Sequence, residues 1–141
     1  MGNYLGTELI QKAIDYINSG KCIPTISTID SKGKIGVSHM GLTRVKDAQT
    51  IRFGFYDKSE SLQNVLDNGQ ICMSVIGGNN FVFTINGVGT KIREVEGFVI
   101  VEMKISEIQS KRSPYLTVTD GIQFEDHSPK TVFNLYEEIL K

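Results

Sequence analysis

Hydrophobic positions change their period along this chain, and the changes mark its elements. In residues 7–18, Leu9, Ile10, Ala13, Ile14 and Ile17 fall on one face at helical spacing. Thr7 stands where a cap is expected, Glu8 suits the first turn, and Asn18-Ser19-Gly20 ends the helix. Short alternating segments follow. Cys22–Ile29 reads as a strand, with Pro24 at an edge or a strand start because proline donates nothing to a ladder. Asp30-Ser31-Lys32-Gly33 reads as a hairpin turn. Ile35–Leu42 returns with Ile35, Val37 and His39 on one face and Ser38, Met40 and Leu42 on the other. Thr43–Gln49 reads as a polar connection into the strand Thr50–Tyr56, where Ile51, Phe53 and Phe55 alternate.

A second short helix, Glu60–Leu66, turns Leu62, Val65 and Leu66 inward and stops at Asn68-Gly69. Three more strands, Ile71–Ile76, Phe81–Glu94 and Phe98–Ile108, turn at Gly77-Gly78-Asn79-Asn80 and around Glu96-Gly97. Six strands linked mostly by hairpins, with flanking helices, predict a mainly β chain closed, or nearly closed, into an antiparallel barrel. Closure removes exposed strand edges. Farther on, Pro114–Thr119 reads as a short strand and Asp120-Gly121 as a turn. Ser128-Pro129 opens a terminal helix whose Val132, Phe133, Leu135, Tyr136, Ile139 and Leu140 pack on the barrel or on a partner subunit. The whole of 1–141 reads as one domain, with a barrel core at about 21–108 and a C-terminal extension at 109–141.

Composition narrows the function classes. With 40% hydrophobic and 22% charged residues the chain is globular rather than disordered. A net charge of -1 argues against nucleic acid as a partner, because phosphate backbones select basic surfaces. No apolar run approaches the roughly 20 residues that span a bilayer, and MGNYLGTELIQ lacks the basic start and apolar stretch of a secretory leader, so the expected location is cytoplasmic. Cys22 and Cys72 read as small core hydrophobes rather than a disulfide. With His39 and His127 they share no metal-ligand spacing, so no metal is expected. Gly87 and Gly89 sit within a strand, where barrel bending or close packing explains them better than a dinucleotide loop.

The densest candidate chemistry is Thr50–Asn68. Lys58-Ser59-Glu60-Ser61 places a cation and two hydroxyls at a helix start, where unpaired amides and a partial positive charge attract an anion. The competing reading is that Ser59 or Ser61 only caps the helix while Lys58 is solvated. Ser38-His39-Met40, if its strand neighbours Thr50–Tyr56, would add an apolar slot and polar edge groups beside that anchor, the requirements of a flavin with its phosphate. His39 also fits an ordinary structural histidine.

The order of these elements resembles the FMN-binding split-barrel superfamily, which includes pyridoxamine 5′-phosphate oxidase and many small flavoproteins. IPTISTIDSKGKIGVSHM looks like the family's first hairpin. TIRFGFYDKSESLQNVLDNGQICMSV looks like its strand–helix–strand segment, and FTINGVGTKI is similar to its glycine-bearing strand. The resemblance spans about residues 7–108. It implies a six-stranded antiparallel split β-barrel with N-terminal, inserted and C-terminal helices, and a homodimer with FMN at the interface serving a small-molecule redox partner. It also implies that Ser38, His39, Met40 and Gly41 line the flavin's edge, that Phe53, Gly54 and Phe55 border its ring and ribityl chain, and that Lys58, Ser59 and Ser61 hold the phosphate. Oxidase-type members carry a basic residue where this chain has Ser61, and often another at Glu60; Lys58-Ser59-Glu60 is closer to the K-T-E of small bacterial FMN-binding proteins. The oxidase's C-terminal Trp and Arg motifs have no counterpart, which argues against pyridoxamine phosphate oxidation. A non-catalytic module for flavin storage or sensing, or for a deazaflavin or haem, is the alternative.

Overall fold

The computed structural model describes residues 3–141. In chain order it has β1 (Asn3–Gly6), α1 (Gln11–Ile17), β2 (Thr25–Ile29), β3 (Ile35–His39), β4 (Thr43–Asp47), β5 (Thr50–Tyr56), α2 (Glu60–Asn68), β6 (Gln70–Gly77), β7 (Phe81–Val95), β8 (Phe98–Ser110) and α3 (Lys130–Leu140). The strands form one antiparallel eight-stranded sheet in the order β3-β2-β6-β7-β8-β5-β4, with β1 added to the end of β8. The mainly β class with flanking helices is therefore as expected, with two strands beyond the six.

The differences have local causes. Thr43–Asp47 is a strand rather than a connection: Thr43 and Val45 are buried while Arg44 and Lys46 point outward, and the segment pairs with β5. Its free edge is occupied by Asn18, which accepts from Val45 N–H at 2.8 Å and donates to Val45 C=O at 3.1 Å. Helix α1 starts later than Thr7, because Leu9 N–H is drawn to Ala48 C=O at 2.8 Å and Ile10 is the extended residue before the first turn. Thr7 therefore caps nothing. Leu66, expected inside, is 47% exposed. Pro114–Thr119 forms no strand. It is strapped to the β6–β7 turn by Asn80, which exchanges bonds with Val118 at 2.8 and 3.0 Å and accepts from Arg112 Nε at 2.7 Å.

Inside the sheet, Ile51, Phe53, Phe55, Met73, Val75, Ile85, Val101 and Met103 form the core. Gly87 and Gly89 lie where strands pack too closely for a side chain. A Cβ at Gly87 would stand 2.4 Å from the Lys104 carbonyl oxygen, and one at Gly89 would press on Ile71, Val101 and Val65. The β7–β8 hairpin turns through Glu96 and Gly97, both at positive φ, the geometry that matches strand twist. The end strands β3 and β4 are not bonded to each other, so the barrel is split between them. Helix α2, with Leu62 and Val65 buried, packs against β2, β3, β5, β6 and β7.

The C-terminal helix α3 lies across β4 and β5, with Leu135 and Ile139 buried. Ser128 does not cap it; the residue before its first turn is Pro129. Buried Arg52 fastens its end, donating from Nη1 to Ile139 C=O at 3.0 Å and from Nε and Nη2 to Glu102 Oε1 at 3.1 and 3.0 Å.

Both cysteines are free. Burial pushes the Cys22 thiol up to about 12. Since the thiolate is the reacting form, Cys22 stays in the unreactive thiol form at neutral pH. Titration with a thiol reagent is expected to leave Cys22 unlabelled in the native protein and to label it on unfolding; immediate labelling of both cysteines would contradict this packing.

Candidate functional site

The split of the barrel creates the site. Strand β3 ends at His39 and residues 40–42 cross to β4. This crossing is fixed by Met40 N–H to Pro24 C=O at 2.8 Å, Thr43 hydroxyl to Met40 C=O at 2.7 Å, and Gly54 N–H to Leu42 C=O at 2.9 Å. On the opposite side β5 ends at Tyr56, a turn closes with Ser59 N–H to Tyr56 C=O at 3.0 Å, and α2 begins. Between them is a depression of about 310 Å³. Ser38, His39, Met40, Gly41 and Leu42 line one side, and Gly54, Phe55, Tyr56, Ser59 and Ser61 the other. Phe98 and, from the C-terminal segment, Ser128, Val132 and Tyr136 complete it.

Eight of the ten residues singled out from the sequence thus meet at one place: Ser38, His39, Met40, Gly41, Gly54, Phe55, Ser59 and Ser61. The assumed neighbourhood of their strands does not bring this about, because β3 and β5 are not paired and β3 lies at the far end of the sheet. Phe53 is outside this group. It is fully buried on the core face of β5, its ring centroid 5.9 Å from that of Phe55. Lys58 is exposed and lies beyond the lining.

Part of the lining is polar. Ser61 is buried, and its Oγ lies 2.5 Å from Ser38 Oγ, a contact that ties β3 to the start of α2. Ser59 Oγ caps the helix by accepting from Leu62 N–H at 3.0 Å. The first-turn amides of Glu60 and Ser61 have no intrahelical acceptor, which makes this end attractive to an anion. Glu60 does not line this depression; it borders a separate surface hollow with Asp30, Lys34 and Asn64. His39 Nδ1 stands 3.1 Å from Thr25 Oγ1 across the β2–β3 pair.

The rest of the lining is largely apolar and aromatic. Tyr56 and Phe98 pack edge to face with centroids 5.9 Å apart, and Met40, Leu42 and Val132 also line the depression. Tyr136 presents its hydroxyl near Gly41, and the Arg44 guanidinium lies 4.0 Å from the centre of its ring. Burial pushes the Tyr136 phenol up and the Arg44 guanidinium down from their ordinary values. Leu42, Tyr56, Phe98 and the α3 residues went unrecognised in the sequence. Leu42 and Tyr56 directly follow recognised positions, Phe98 enters only as the cross-strand partner of Tyr56, and the α3 residues show only a generic apolar helix face. A depression lined by hydroxyls and aromatic rings at a helix start with free amides suits a planar aromatic ligand that carries an anionic group. Among the described residues no three His, Cys, Asp or Glu side chains converge as metal ligands, and no helix is long and apolar enough to cross a membrane.

Neither a family model nor a curated protein sequence matches the chain. Solved structures do. A pyridoxamine 5′-phosphate oxidase-like protein of Lactobacillus delbrueckii superposes with a TM-score of 0.65 at 13% identity, over 77% of this chain and 98% of that one. An FMN-binding protein of Syntrophomonas wolfei gives 0.60 at 15% identity, over 70% and 82%. The flavin reductase of styrene monooxygenase from Pseudomonas putida S12 gives 0.56 at 9% identity, over 67% and 82%. The chain has the fold of the FMN-binding split-barrel superfamily.

Proposed function

We propose that this protein is a cytoplasmic FMN-binding flavoprotein, a redox protein or flavin-dependent reductase, which works as a homodimer with the flavin at the subunit interface. The observation that carries the reading is the convergence of Ser38–Gly41 with Gly54, Phe55, Ser59 and Ser61 around one amphipathic depression at the start of α2. These residues fit FMN. The Ser38 and Ser61 hydroxyls, the Glu60 and Ser61 amides and the adjacent Lys58 would hold its phosphate, while Met40, Gly41 and Gly54 would border the ring. When bound, the isoalloxazine supplies the electron chemistry, and the protein's part is burial, orientation and edge hydrogen bonding. Support for the dimer comes from the outward face of β3, β2, β6 and β7. Ile35, Val37, Ser27, Cys72, Thr84 and Val88 stand on it, and along the rungs that pair these four strands, as far as Val88 in β7, its outward positions hold no Asp, Glu, Lys or Arg. Ile35 and Val37 are 67% and 61% exposed on an end strand, a surface suited to a second subunit.

The test is the visible spectrum of the purified protein and titration of its flavin-free form with FMN. Replacing Ser61 or Lys58 by Ala is expected to weaken FMN by roughly 1.5–3 kcal/mol, the worth of a hydrogen bond to a charged group. A colourless protein that ignores FMN would overturn the reading. Because no Lys or Arg lines the depression, a second reading stands beside it: a non-catalytic module that stores or senses flavin, or takes a deazaflavin or haem. Bound flavin that neither NAD(P)H nor an electron-transfer partner reduces would favour this second reading.

A further inference from the structure

The depression is not made by the barrel alone. The chain leaves β8 at Ser110, is pinned at Asn80, and returns as α3 across β4 and β5. On α3, Leu135 and Ile139 supply the packing and are buried at 2% and 0% exposure. Tyr136 sits between them in sequence, yet its ring is directed elsewhere. It lines the depression with Val132, one turn earlier, and Ser128 before the helix. Its hydroxyl would lie 3.8 Å from a Cβ placed on Gly41, and among the described residues it makes no hydrogen bond. One face of its ring is covered by Arg44, whose guanidinium is 4.0 Å from the ring centre and is itself held by Nη1 donating to Thr43 C=O at 2.8 Å. A ring braced on one side, with an unused phenolic donor and acceptor facing a depression, is a preorganised contact for a ligand.

We infer that Tyr136 is a ligand-contacting residue of this site, meeting the aromatic part of the bound molecule, and that Arg44 is the residue that positions it. The inference rests on the reading of the site as a flavin site. It makes the C-terminal helix a wall of that site rather than a mere cover for β4 and β5. The arrangement also explains a half-buried arginine opposite another arginine in the β4–β5 ladder: Arg52 is neutralised by Glu102, and Arg44 is directed onto an aromatic face.

The experiment is FMN titration of the parent protein and of Tyr136→Phe, Tyr136→Leu, Arg44→Met and the Arg44→Met/Tyr136→Leu double variant, with the visible band of bound flavin recorded for each. Tyr136→Phe is expected to weaken FMN roughly threefold to tenfold, the worth of one hydrogen bond. Tyr136→Leu is expected to weaken it further and to shift the flavin band, because a ring contact is lost as well. Arg44→Met is expected to reproduce part of the Tyr136→Leu loss and to add nothing in the double variant, as two residues acting through one contact must. A parent that binds FMN while Tyr136→Leu binds it within about twofold and with an unchanged band overturns the inference and leaves the flavin reading intact. A parent that does not bind FMN overturns both. Should Tyr136→Leu fail to fold, Tyr136→Phe decides, since it keeps the ring under Arg44, and parent-like affinity there overturns the inference.

Discussion

A Gly87→Ala protein is expected to be about 3 kcal/mol less stable than the parent, at the upper end of the range for overpacking a close-packed interior. The added Cβ would stand 2.4 Å from the Lys104 carbonyl oxygen and 2.7 Å from Met103 Cγ. The first of these is backbone, fixed by the β7–β8 ladder, whose register already shifts between Asn86 and Gly87. Relief therefore requires one strand of the long hairpin to move against the other. Gly89→Ala provides the comparison. Its Cβ would meet Ile71 Cδ1 at 2.7 Å, Val101 Cγ1 at 2.9 Å and Val65 Cγ1 at 3.0 Å, all side-chain methyl groups rather than backbone. Its loss is expected to be smaller, about 1–2 kcal/mol. Urea unfolding of both variants checks the order. A Gly87→Ala protein as stable as the parent would show that the hairpin adjusts freely.

The pair of Arg52 and Glu102 is expected to respond asymmetrically to substitution. Arg52 has a side chain only 7% exposed, whereas that of Glu102 is 33% exposed. Glu102→Leu leaves a guanidinium buried with Ile139 C=O as its remaining hydrogen-bond partner, and since arginine does not deprotonate, its charge stays in place. The expected loss is roughly 3 kcal/mol. Arg52→Met leaves a carboxylate that water still reaches, plus one unpaired carbonyl at the end of α3, and is expected to cost about 1–2 kcal/mol. The double variant Arg52→Met/Glu102→Leu is expected to be more stable than Glu102→Leu alone, because the stranded charge is gone. Denaturant unfolding of the three proteins tests this, and a larger loss for Arg52→Met than for Glu102→Leu would reject the argument.

Strands whose side chains alternate sharply were legible from residue types. β5 was read to its exact ends because Ile51, Phe53 and Phe55 alternate between Asp47 and Asp57, and the β7–β8 hairpin followed from two long apolar runs around Glu96-Gly97. Helix α2 was legible from Ser59 and Gly69, one capping with its hydroxyl and the other taking the left-handed conformation. β4 was not legible, since TRVKD carries only Val45 as an apolar residue and its pairing depends on β5 and on Asn18. The start of α1 was misplaced because a hydrogen bond to Ala48, distant in sequence, outweighs a local cap at Thr7.

For the site, residue types alone determined which groups are available: two serines, a cation and free amides at a helix start, and a short Ser38–Gly41 segment after an alternating strand. They also determined that Phe53 and Phe55 share one face of β5, but not whether that face looks into the core or into the site; the packing buries both rings, and of the two only Phe55 also borders the depression. Only the tertiary structure decided that Ser38 touches Ser61, because β3 and α2 meet across a split between strands that never pair in the sheet. It alone decided that Tyr136 belongs there, some eighty residues after Tyr56 in the chain. Periodicity reports which face of an element is apolar, a local property set by side-chain spacing. Which elements face one another depends on chain crossings, backbone bonds and burial summed over the whole fold, and no single segment carries that information.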